Sequence, residues 1–143
     1  MGTIELTKEN VQKTIDESEF LLIDFWAEWC GPCKMFGPTF QKSSEEHPDM
    51  VFAKCDTEAQ PEVAASFGIQ SIPTLGIFRE GILIFLQPGA LPPQALEEII
   101  TKVKELDMDE VRQTIAKEQA EQQKATESSE KKEASTTETE KKN

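Results

Sequence analysis

The chain has 143 residues, a length typical of one domain, and 37% of them are apolar. Its net charge of −12 argues against nucleic-acid phosphates and anionic membrane surfaces as the main binding partners. No apolar run approaches the ~20 residues of a membrane helix, and the first residues lack the basic and apolar regions of a signal peptide, so we expect a cytoplasmic protein that binds neither nucleic acid nor membranes.

The composition changes along the chain and predicts a domain boundary. All prolines, glycines and aromatic residues lie at or before residue 93, and from Lys117 onward only Lys, Glu, Gln, Ala, Thr, Ser and Asn occur. Such a segment buries too little apolar surface to offset the entropy lost on folding. We therefore predict a folded domain over residues 1–106 and a polar extension over 107–143. Met108, Val111 and Ile115 recur at near-helical spacing, so we expect the extension to be helical to about residue 116 and disordered beyond it.

Hydropathy and turn residues predict alternating helices and strands. The almost continuous apolar run Phe20–Trp26 is typical of a strand buried on both faces, and Glu80-Gly81 separates two further apolar runs as a tight hairpin. We expect Thr7 to cap the first helix and Pro38 to kink the second. In chain order, the predicted elements are a helix over 7–18, a strand over 20–26, a helix over 33–47, a strand over 51–55, a helix over 60–67, strands over 74–79 and 82–87, and a helix over 92–106.

The order of these elements predicts the fold class. The strand–helix–strand unit over residues 20–55 requires a parallel strand pair with a right-handed crossover, whereas the hairpin over 74–87 adds antiparallel strands. We therefore expect an α/β fold with a central mixed β-sheet flanked by helices on both faces. The predicted inner face of the last helix consists of apolar residues at helical spacing: Leu96, Ile99, Ile100, Val103 and Leu106.

Two of the three cysteines lie in the segment Trp29-Cys30-Gly31-Pro32-Cys33-Lys34, at the start of a predicted helix. Cys30 is closest to the unpaired N–H groups and to the positive end of the helix dipole, which favours a thiolate. Cys33 lies one turn further on, so we expect it to be more buried and to resolve a mixed disulfide. Pro32 stiffens the loop and lacks an N–H that could further stabilise the thiolate. The segment therefore predicts a redox-active dithiol with a reducing bias.

Asp24 is a carboxylate in the middle of the apolar strand, where an unpaired charge is costly. Desolvation is expected to raise its pKa towards the range that is useful for proton transfer. Lys54, in the adjacent predicted strand, is its natural ionic neighbour. From the residues alone, Asp24 is either a catalytic group or a satisfied buried carboxylate, and Lys54 either tunes its pKa or is a structural partner.

The segment from Asp24 to Lys34, Asp-Phe-Trp-Ala-Glu-Trp-Cys-Gly-Pro-Cys-Lys, resembles the active-site sequence of the thioredoxin family. Later landmarks agree in order and approximate spacing, so the resemblance covers about residues 3–106. These landmarks are Lys54, the segment Gly68-Ile69…Ile72-Pro73-Thr74-Leu75, and Gly89-Ala90-Leu91.

The resemblance implies the thioredoxin fold and a role for each site residue. Cys30 would attack a target disulfide, Cys33 would release the product, and Asp24 would be the buried acid/base for Cys33. Lys54 and Trp26 would tune the pKa values at the site, with Trp26 packed beneath the active loop, and Pro73 would be a cis proline opposite the cysteines. The residues that the resemblance assigns to client binding are Trp29, Gly31, Pro32, Ile72, Pro73, Gly89 and Ala90.

The resemblance further implies a thiol–disulfide oxidoreductase that reduces disulfide-containing client proteins and is regenerated by a thioredoxin reductase. The dithiol is itself the redox group, so we expect no cofactor and no metal, and we expect a monomer. Two other functions stay open. One is a thioredoxin-domain adaptor whose C-terminal tail recruits a partner. The other is a disulfide-forming oxidase or isomerase, against which the Gly-Pro dipeptide and the missing signal peptide argue.

Three further residues receive structural interpretations. A zinc site would need Cys30 and Cys33 together with His47 and Cys55, but the latter two stand far apart in the chain. We therefore interpret Cys55 as a buried strand cysteine and His47 as a residue at a helix end. Gly76 lies inside a predicted core strand, where we expect it to leave room for a larger neighbour such as Phe36.

Overall fold

The computed structural model of the chain describes residues 2–123. It contains a five-stranded sheet in the order β1-β3-β2-β4-β5, with parallel and antiparallel pairs, so the predicted mixed sheet is confirmed. The chain divides into two compact units after Lys104, and the sheet belongs to the first. In chain order, the elements are β1 (Ile4–Glu5), α1 (Val11–Glu17), β2 (Phe20–Trp26), α2 (Gly31–Glu46), β3 (Val51–Asp56), α3 (Pro61–Ser66), β4 (Thr74–Arg79), β5 (Ile82–Pro88) and α4 (Pro93–Glu105), and only the last residue of α4 falls outside this unit.

β2 occupies the centre of the sheet. It pairs in parallel with β3 and antiparallel with β4, so both of its edges are hydrogen-bonded. Residues 21–25 are all buried, as the continuous apolar run predicts for a strand covered on both faces. Because side chains alternate along a strand, Leu22 joins one cluster of the core and Leu21 and Ile23 join the other.

Helices cover both faces of the sheet, as predicted. Phe36 and Phe40 of α2 pack with α4 against one face, whereas Ile15 of α1 and Val63 of α3 pack against the other. The inner face of α4 is confirmed for Leu96, Ile100 and Val103, which are buried, and for the half-buried Ile99. Leu106 is 38% exposed, because α4 ends one residue before it. Within residues 2–123, no helix has the length and apolar character needed to cross a bilayer.

The first residues differ from the prediction. Ile4 and Glu5 form β1, a two-residue strand parallel to β3 that is too short to show a hydropathy pattern. The Leu6 N–H then donates to the Lys54 carbonyl, so the chain stays extended up to Thr7. Thr7 therefore begins a turn and does not cap the helix. Its N–H donates to the Asn10 side chain, and α1 begins only at Val11.

β4 and β5 form the predicted hairpin. Glu80 and Gly81 both have positive φ angles, 53° and 79°, which is the geometry of a tight two-residue turn. The register shifts between Ile77 and Phe78. Ile77 is paired with Phe85 and Phe78 with Leu83, so Ile84 has no partner in β4. This bulge gives the hairpin a stronger local twist.

The surroundings of Gly76 correct one expectation. A Cβ atom at this position would lie 3.3 Å from Leu86 Cδ1 and 3.4 Å from Phe25 Cε2, so the missing side chain makes room for these two residues. Phe36, the neighbour expected from the sequence, packs instead in the cluster of α2 and α4, whereas Phe25 and Leu86 belong to the cluster on the other face.

We expect Gly76→Ala to lower the free energy of unfolding by about 1–3 kcal/mol, because the added methyl group overpacks Leu86 and Phe25. Gly37→Ala is the matched control. Its Cβ would meet only Lys54 Nζ, at 3.7 Å, and alanine is favoured over glycine inside a helix by ~1 kcal/mol. Urea denaturation of both variants checks the prediction, which a fully stable Gly76→Ala protein would contradict.

A further helix, α5, runs over residues 108–123 in the second unit. It does not prolong α4, because the helix is interrupted at residues 106 and 107, and the Asp107 carboxylate accepts the N–H groups of Asp109 and Glu110 as a cap. α5 continues past residue 116, where we expected it to end, because residues 117–123 are all Lys, Glu, Gln or Ala, which favour helix without a core. The remaining disorder prediction falls on residues 124–143, outside the described residues, and the domain boundary at 106 stays a prediction.

Candidate active site

The Cys30–Cys33 pair lies at the N-terminus of α2. Cys30 is the N-cap residue, and Pro32 occupies the first turn of the helix. The N–H groups of the first turn have no acceptor within the helix, so the missing N–H of Pro32 costs no helical hydrogen bond. The two Cα atoms are 5.3 Å apart, and the two sulfurs are joined as a disulfide. The Cys33 N–H donates to Cys30 Sγ at 3.3 Å. The Cys30 sulfur is therefore the one of the two that accepts a backbone hydrogen bond from the first turn of the helix.

The two cysteines are equally buried, so the expectation that Cys33 is the more buried one is wrong. Cys30 is 4% exposed and Cys33 is 5% exposed. Cys30 is screened because Ile72 packs against the pair, and the Ile72 carbonyl oxygen lies 3.7 Å from Cys30 Sγ. Burial thus does not distinguish the two sulfurs, whereas the hydrogen bond from the Cys33 N–H does.

Asp24 lies in β2, and its side chain is completely buried. Neither carboxylate oxygen has a hydrogen-bond partner among the described residues. Burial raises the pKa of Asp24 from 3.8 to about 7, and the positive charge of Lys54 opposes part of this shift. A carboxyl group with a pKa near neutrality can accept and return a proton under ordinary conditions.

Lys54 is paired with Asp24 in the register of β3 and β2, as expected for neighbouring strands. Its ammonium group, however, lies over the Trp26 ring, 4.8 Å from the centroid, in a cation–π contact. No hydrogen bond joins it to Asp24, because the ammonium reaches a cleft beside Trp26 while the carboxyl stays in the interior. Lys54 therefore acts on Asp24 through its charge and not through a direct ion pair.

The cleft beside the redox pair has a volume of about 400 Å³. Cys33, Trp26, Lys54 and Glu28 are among the residues that line it. Cys33 is 5% exposed and forms part of the wall of this cleft. The cleft thus brings Lys54 and Glu28 to the neighbourhood of the second cysteine.

The residues that the resemblance assigns to client binding come from three loops, two of which are joined directly. The Gly89 N–H donates to the Pro73 carbonyl at 2.8 Å, which fixes the loop after β5 against the loop before β4. The Ile72–Pro73 peptide bond is cis, as the resemblance implies. Trp29, Gly31, Pro32, Gly89 and Ala90 are exposed, Ile72 is half-buried and Pro73 is buried. Pro73 is therefore the one residue of this set that is buried, and its role in client binding stays a prediction.

Glu58 is a residue of this region that the sequence analysis missed. The Trp29 indole N–H donates to the Glu58 carboxylate, which lies in the turn after β3. The backbone of the same turn is fixed to β2, because the Thr57 N–H and hydroxyl both donate to the Trp26 carbonyl. The sequence shows only that an acidic residue follows β3, the strand next to β2. Whether this residue contacts Trp29 depends on the direction of the exposed Trp29 side chain, which hydropathy does not give.

The remaining candidates have structural surroundings. Cys55 is buried in β3, as expected, and burial raises the pKa of its thiol to about 11, with the neighbouring Asp56 adding to the shift. His47 Nε2 lies 2.7 Å from one oxygen of Glu97, whose other oxygen accepts the Ser43 hydroxyl, so this cluster joins α2 to α4. Within residues 2–123, no three His, Cys, Asp or Glu side chains are grouped so that they could hold a metal ion.

Comparisons with known proteins agree with this geometry. The model of the thioredoxin family matches residues 2–102. A putative thioredoxin 2 of Streptomyces coelicolor is 60% identical over 119 residues, which are 83% of this chain and 89% of that one. A thioredoxin of Alicyclobacillus acidocaldarius is 40% identical over 103 residues, which are 71% of this chain and 98% of that one. The oxidised mitochondrial thioredoxin 3 of Saccharomyces cerevisiae has a TM-score of 0.65 at 37% identity, covering 70% of this chain and 94% of that one.

The chain therefore belongs to the thioredoxin family. Together with the disulfide between Cys30 and Cys33, this makes it a disulfide oxidoreductase. Membership implies disulfide-containing substrates and a thioredoxin reductase as the source of electrons. Proteins of this family need no bound cofactor, since the dithiol carries the electrons.

Proposed function

We propose that this protein is a reductase of protein disulfides in which Cys30 is the nucleophile and Cys33 the resolving residue. The observation that carries this assignment is the hydrogen bond from the Cys33 N–H to Cys30 Sγ at the start of α2. A helix N-terminus stabilises a negative sulfur at its cap position more than one turn into the helix.

The reaction proceeds in two thiol–disulfide exchanges. The Cys30 thiolate attacks one sulfur of the client disulfide, whose S–S bond breaks, so that a Cys30–client disulfide forms and the other client sulfur leaves as a thiolate. The Cys33 thiolate then attacks Cys30 Sγ, the mixed disulfide breaks, and the second client thiolate departs. Two electrons have passed to the client, and the protein holds the Cys30–Cys33 disulfide. A thioredoxin reductase returns the two electrons.

Asp24 serves as the base that takes the proton of the Cys33 thiol before the second exchange. Its burial supports this role, because a carboxylate with a pKa of about 7 is a stronger base than an exposed one and is still partly ionised near neutrality. Lys54 and Trp26 tune that pKa. The Trp26 ring holds the Lys54 ammonium in a cation–π contact, and no hydrogen bond joins the ammonium to the Asp24 carboxyl.

Clients bind across the loops that surround the disulfide. The exposed Trp29 and the half-buried Ile72 provide apolar contact, and the Ile72 backbone, next to Cys30 Sγ, is placed to pair with an extended client chain. Gly31, Pro32, Gly89 and Ala90 border this surface, with Pro73 beneath it. All groups of the mechanism lie in one chain, so a single chain acting in the cytoplasm is sufficient for the chemistry.

The test is to trap the mixed disulfide with insulin. Cys33→Ser should accumulate a covalent Cys30–insulin adduct, which non-reducing gels and mass spectrometry detect, because the thiol placed to release it has been removed and Cys55 is buried in β3. Cys30→Ser is the matched control, with the same substitution three residues earlier, and should form no adduct and reduce no insulin. Insulin reduction by Cys30→Ser at the wild-type rate would show that the nucleophile is assigned to the wrong cysteine.

A further inference from the structure

The turn after β3 holds Glu58 in a fixed position beside the loop that carries the disulfide. The backbone of this turn is tied to β2, because the Thr57 N–H and hydroxyl both donate to the Trp26 carbonyl. The N–H groups of Glu58 and Ala59 donate to the Asp56 carboxylate at 3.0 and 3.3 Å. These donors of the turn are satisfied locally, so the Glu58 side chain extends from a backbone that is anchored to the sheet.

The hydrogen bond from the Trp29 indole N–H to the Glu58 carboxylate sets the orientation of an exposed aromatic ring. An exposed side chain normally exchanges between several rotamers, and this bond favours one of them. The indole N–H lies in the plane of the ring, so the carboxylate meets the ring at its edge and Glu58 covers neither face. Trp29 is 68% exposed, so ring surface next to Cys30 is open to a client.

The negative charge of Glu58 is not neutralised by the chain's own cations. Within residues 2–123, Glu58 forms no ion pair, and its one hydrogen bond is the one from Trp29. A carboxylate can accept up to about four hydrogen bonds, so acceptor positions stay free. The cleft on the Cys33 side is different, because Lys34 and Lys54 line it together with Glu28. A cation of a client is therefore favoured on the Trp29 side of the disulfide.

We propose that Glu58 determines client specificity, forming with Trp29 a subsite for a basic side chain that flanks the client disulfide. The guanidinium or ammonium group lies on the indole face in a cation–π contact, while the carboxylate at the edge of the ring attracts the same charge. This inference rests on the proposed function, since it assumes that Cys30 attacks a client docked beside Trp29. It adds the class of client, a protein with arginine or lysine next to its disulfide.

The size of the effect follows from the exposure of both groups. A cation–π contact and an ion pair at solvent-exposed positions each change an equilibrium constant by about twofold to fivefold. We therefore expect a client with a correctly placed cation to react about threefold to tenfold faster than the same client without it. The net charge of −12 also attracts cations from a distance, so the test must separate the subsite from the charge of the whole chain.

Two disulfide-cyclised peptides that differ only in the residues flanking the disulfide test the proposal. One carries arginine and the other citrulline, which has the same shape without the charge. The full chain, reduced beforehand, is mixed with each peptide, and the second-order rate constant of peptide reduction is measured by quenching and chromatography. The ratio of the two rate constants is the preference for the cation. A general loss of activity in a variant cancels in this ratio, because both peptides meet the same protein.

Glu58→Gln keeps an amide oxygen that can accept the indole N–H but removes the charge, so it should lower the preference to below about twofold. Trp29→Leu removes the ring and should lower the preference as well. Glu98→Gln is the matched control, because it makes the same change of net charge at an exposed position of α4, outside the client-binding loops, and should keep the preference.

Three results would overturn the proposal, and they differ in what they say about the reductase function. Equal preferences in Glu58→Gln and Glu98→Gln would assign the attraction to the net charge of the chain. Equal reduction of both peptides by the wild type would remove the subsite and leave the reductase function intact. Failure of the wild type to reduce either peptide would overturn the reductase function and the subsite together.

Discussion

Replacing Asp24 with asparagine is expected to raise the free energy of unfolding of the oxidised protein at pH 8 and to change it little at pH 4. The carboxyl ionises near 3.8 in the unfolded chain but near 7 in the folded protein, because burial raises its pKa. Between these values the folded state holds a proton that the unfolded state has lost, so stability falls as the pH rises. The loss is ~1.4 kcal/mol per pH unit and about 4 kcal/mol in total above pH 7, and the asparagine variant avoids it.

Urea denaturation of both proteins at pH 4, 6 and 8 measures this effect. The disulfide keeps Cys30 and Cys33 from titrating, and the difference between the two proteins isolates Asp24 because all other groups are shared. Asp16→Asn, which removes a carboxylate from the exposed side of α1, is the control and should follow the wild-type profile. A difference between wild type and Asp24→Asn that stays constant from pH 4 to 8 would contradict the argument.

The same variant separates the two exchanges of the proposed mechanism. Near neutral pH, Asp24→Asn should slow the release of a client from the mixed disulfide more than it slows the attack by Cys30, because only the release needs the Cys33 proton to be removed. Rapid-quench measurement of the mixed disulfide gives both rates. Equal slowing of both steps would mean that Asp24 is not the base for Cys33.

Phe40→Ala is expected to lower the free energy of unfolding by about 3–5 kcal/mol, since it leaves a cavity in the core between α2 and the sheet. Phe40 is completely buried, and its ring packs with those of Phe36 and Phe52 at centroid distances of 5.9 and 5.2 Å. The neighbours belong to a helix and a strand that are fixed by the rest of the core, so they close the cavity only in part.

Met35→Ala is the control for this substitution. Met35 lies in the same helix but is 76% exposed, so its truncation should change the stability by less than about 0.5 kcal/mol. Thermal or urea denaturation of the two variants in the same redox state gives the comparison. Similar losses from both would show that α2 does not bury the face assigned to it.

The strands and helices with strong hydropathy patterns could be predicted from the sequence. The buried run of β2, the turn at Glu80-Gly81 and the inner face of α4 each follow from a local pattern that the tertiary structure reinforces. Elements without such a pattern could not be predicted. β1 has two residues and exists because β3 offers it an edge, whereas α5 continues to residue 123 on helix propensity without apolar periodicity.

The candidate site was predictable in its residues but not in its contacts. The spacing of Cys30 and Cys33 indicated the helix start and the dithiol, and the burial of Asp24 followed from its place in an apolar run. The position of the Lys54 ammonium over Trp26 depends on the length and direction of side chains, as does the bond between Trp29 and Glu58. The similar burial of Cys30 and Cys33 depends on Ile72, which lies in a loop about forty residues further along the chain.

β2 is hydrogen-bonded on both edges and ends just before the loop that carries the disulfide. Asp24 is therefore held in the interior by the central strand of the sheet. Trp29, Gly89 and Ala90 stand on loops whose side chains face solvent. On the proposed binding surface, substitutions at these positions should change which proteins are recognised and leave the buried strand as it is, so a designer who wishes to redirect the protein can work on the loops alone.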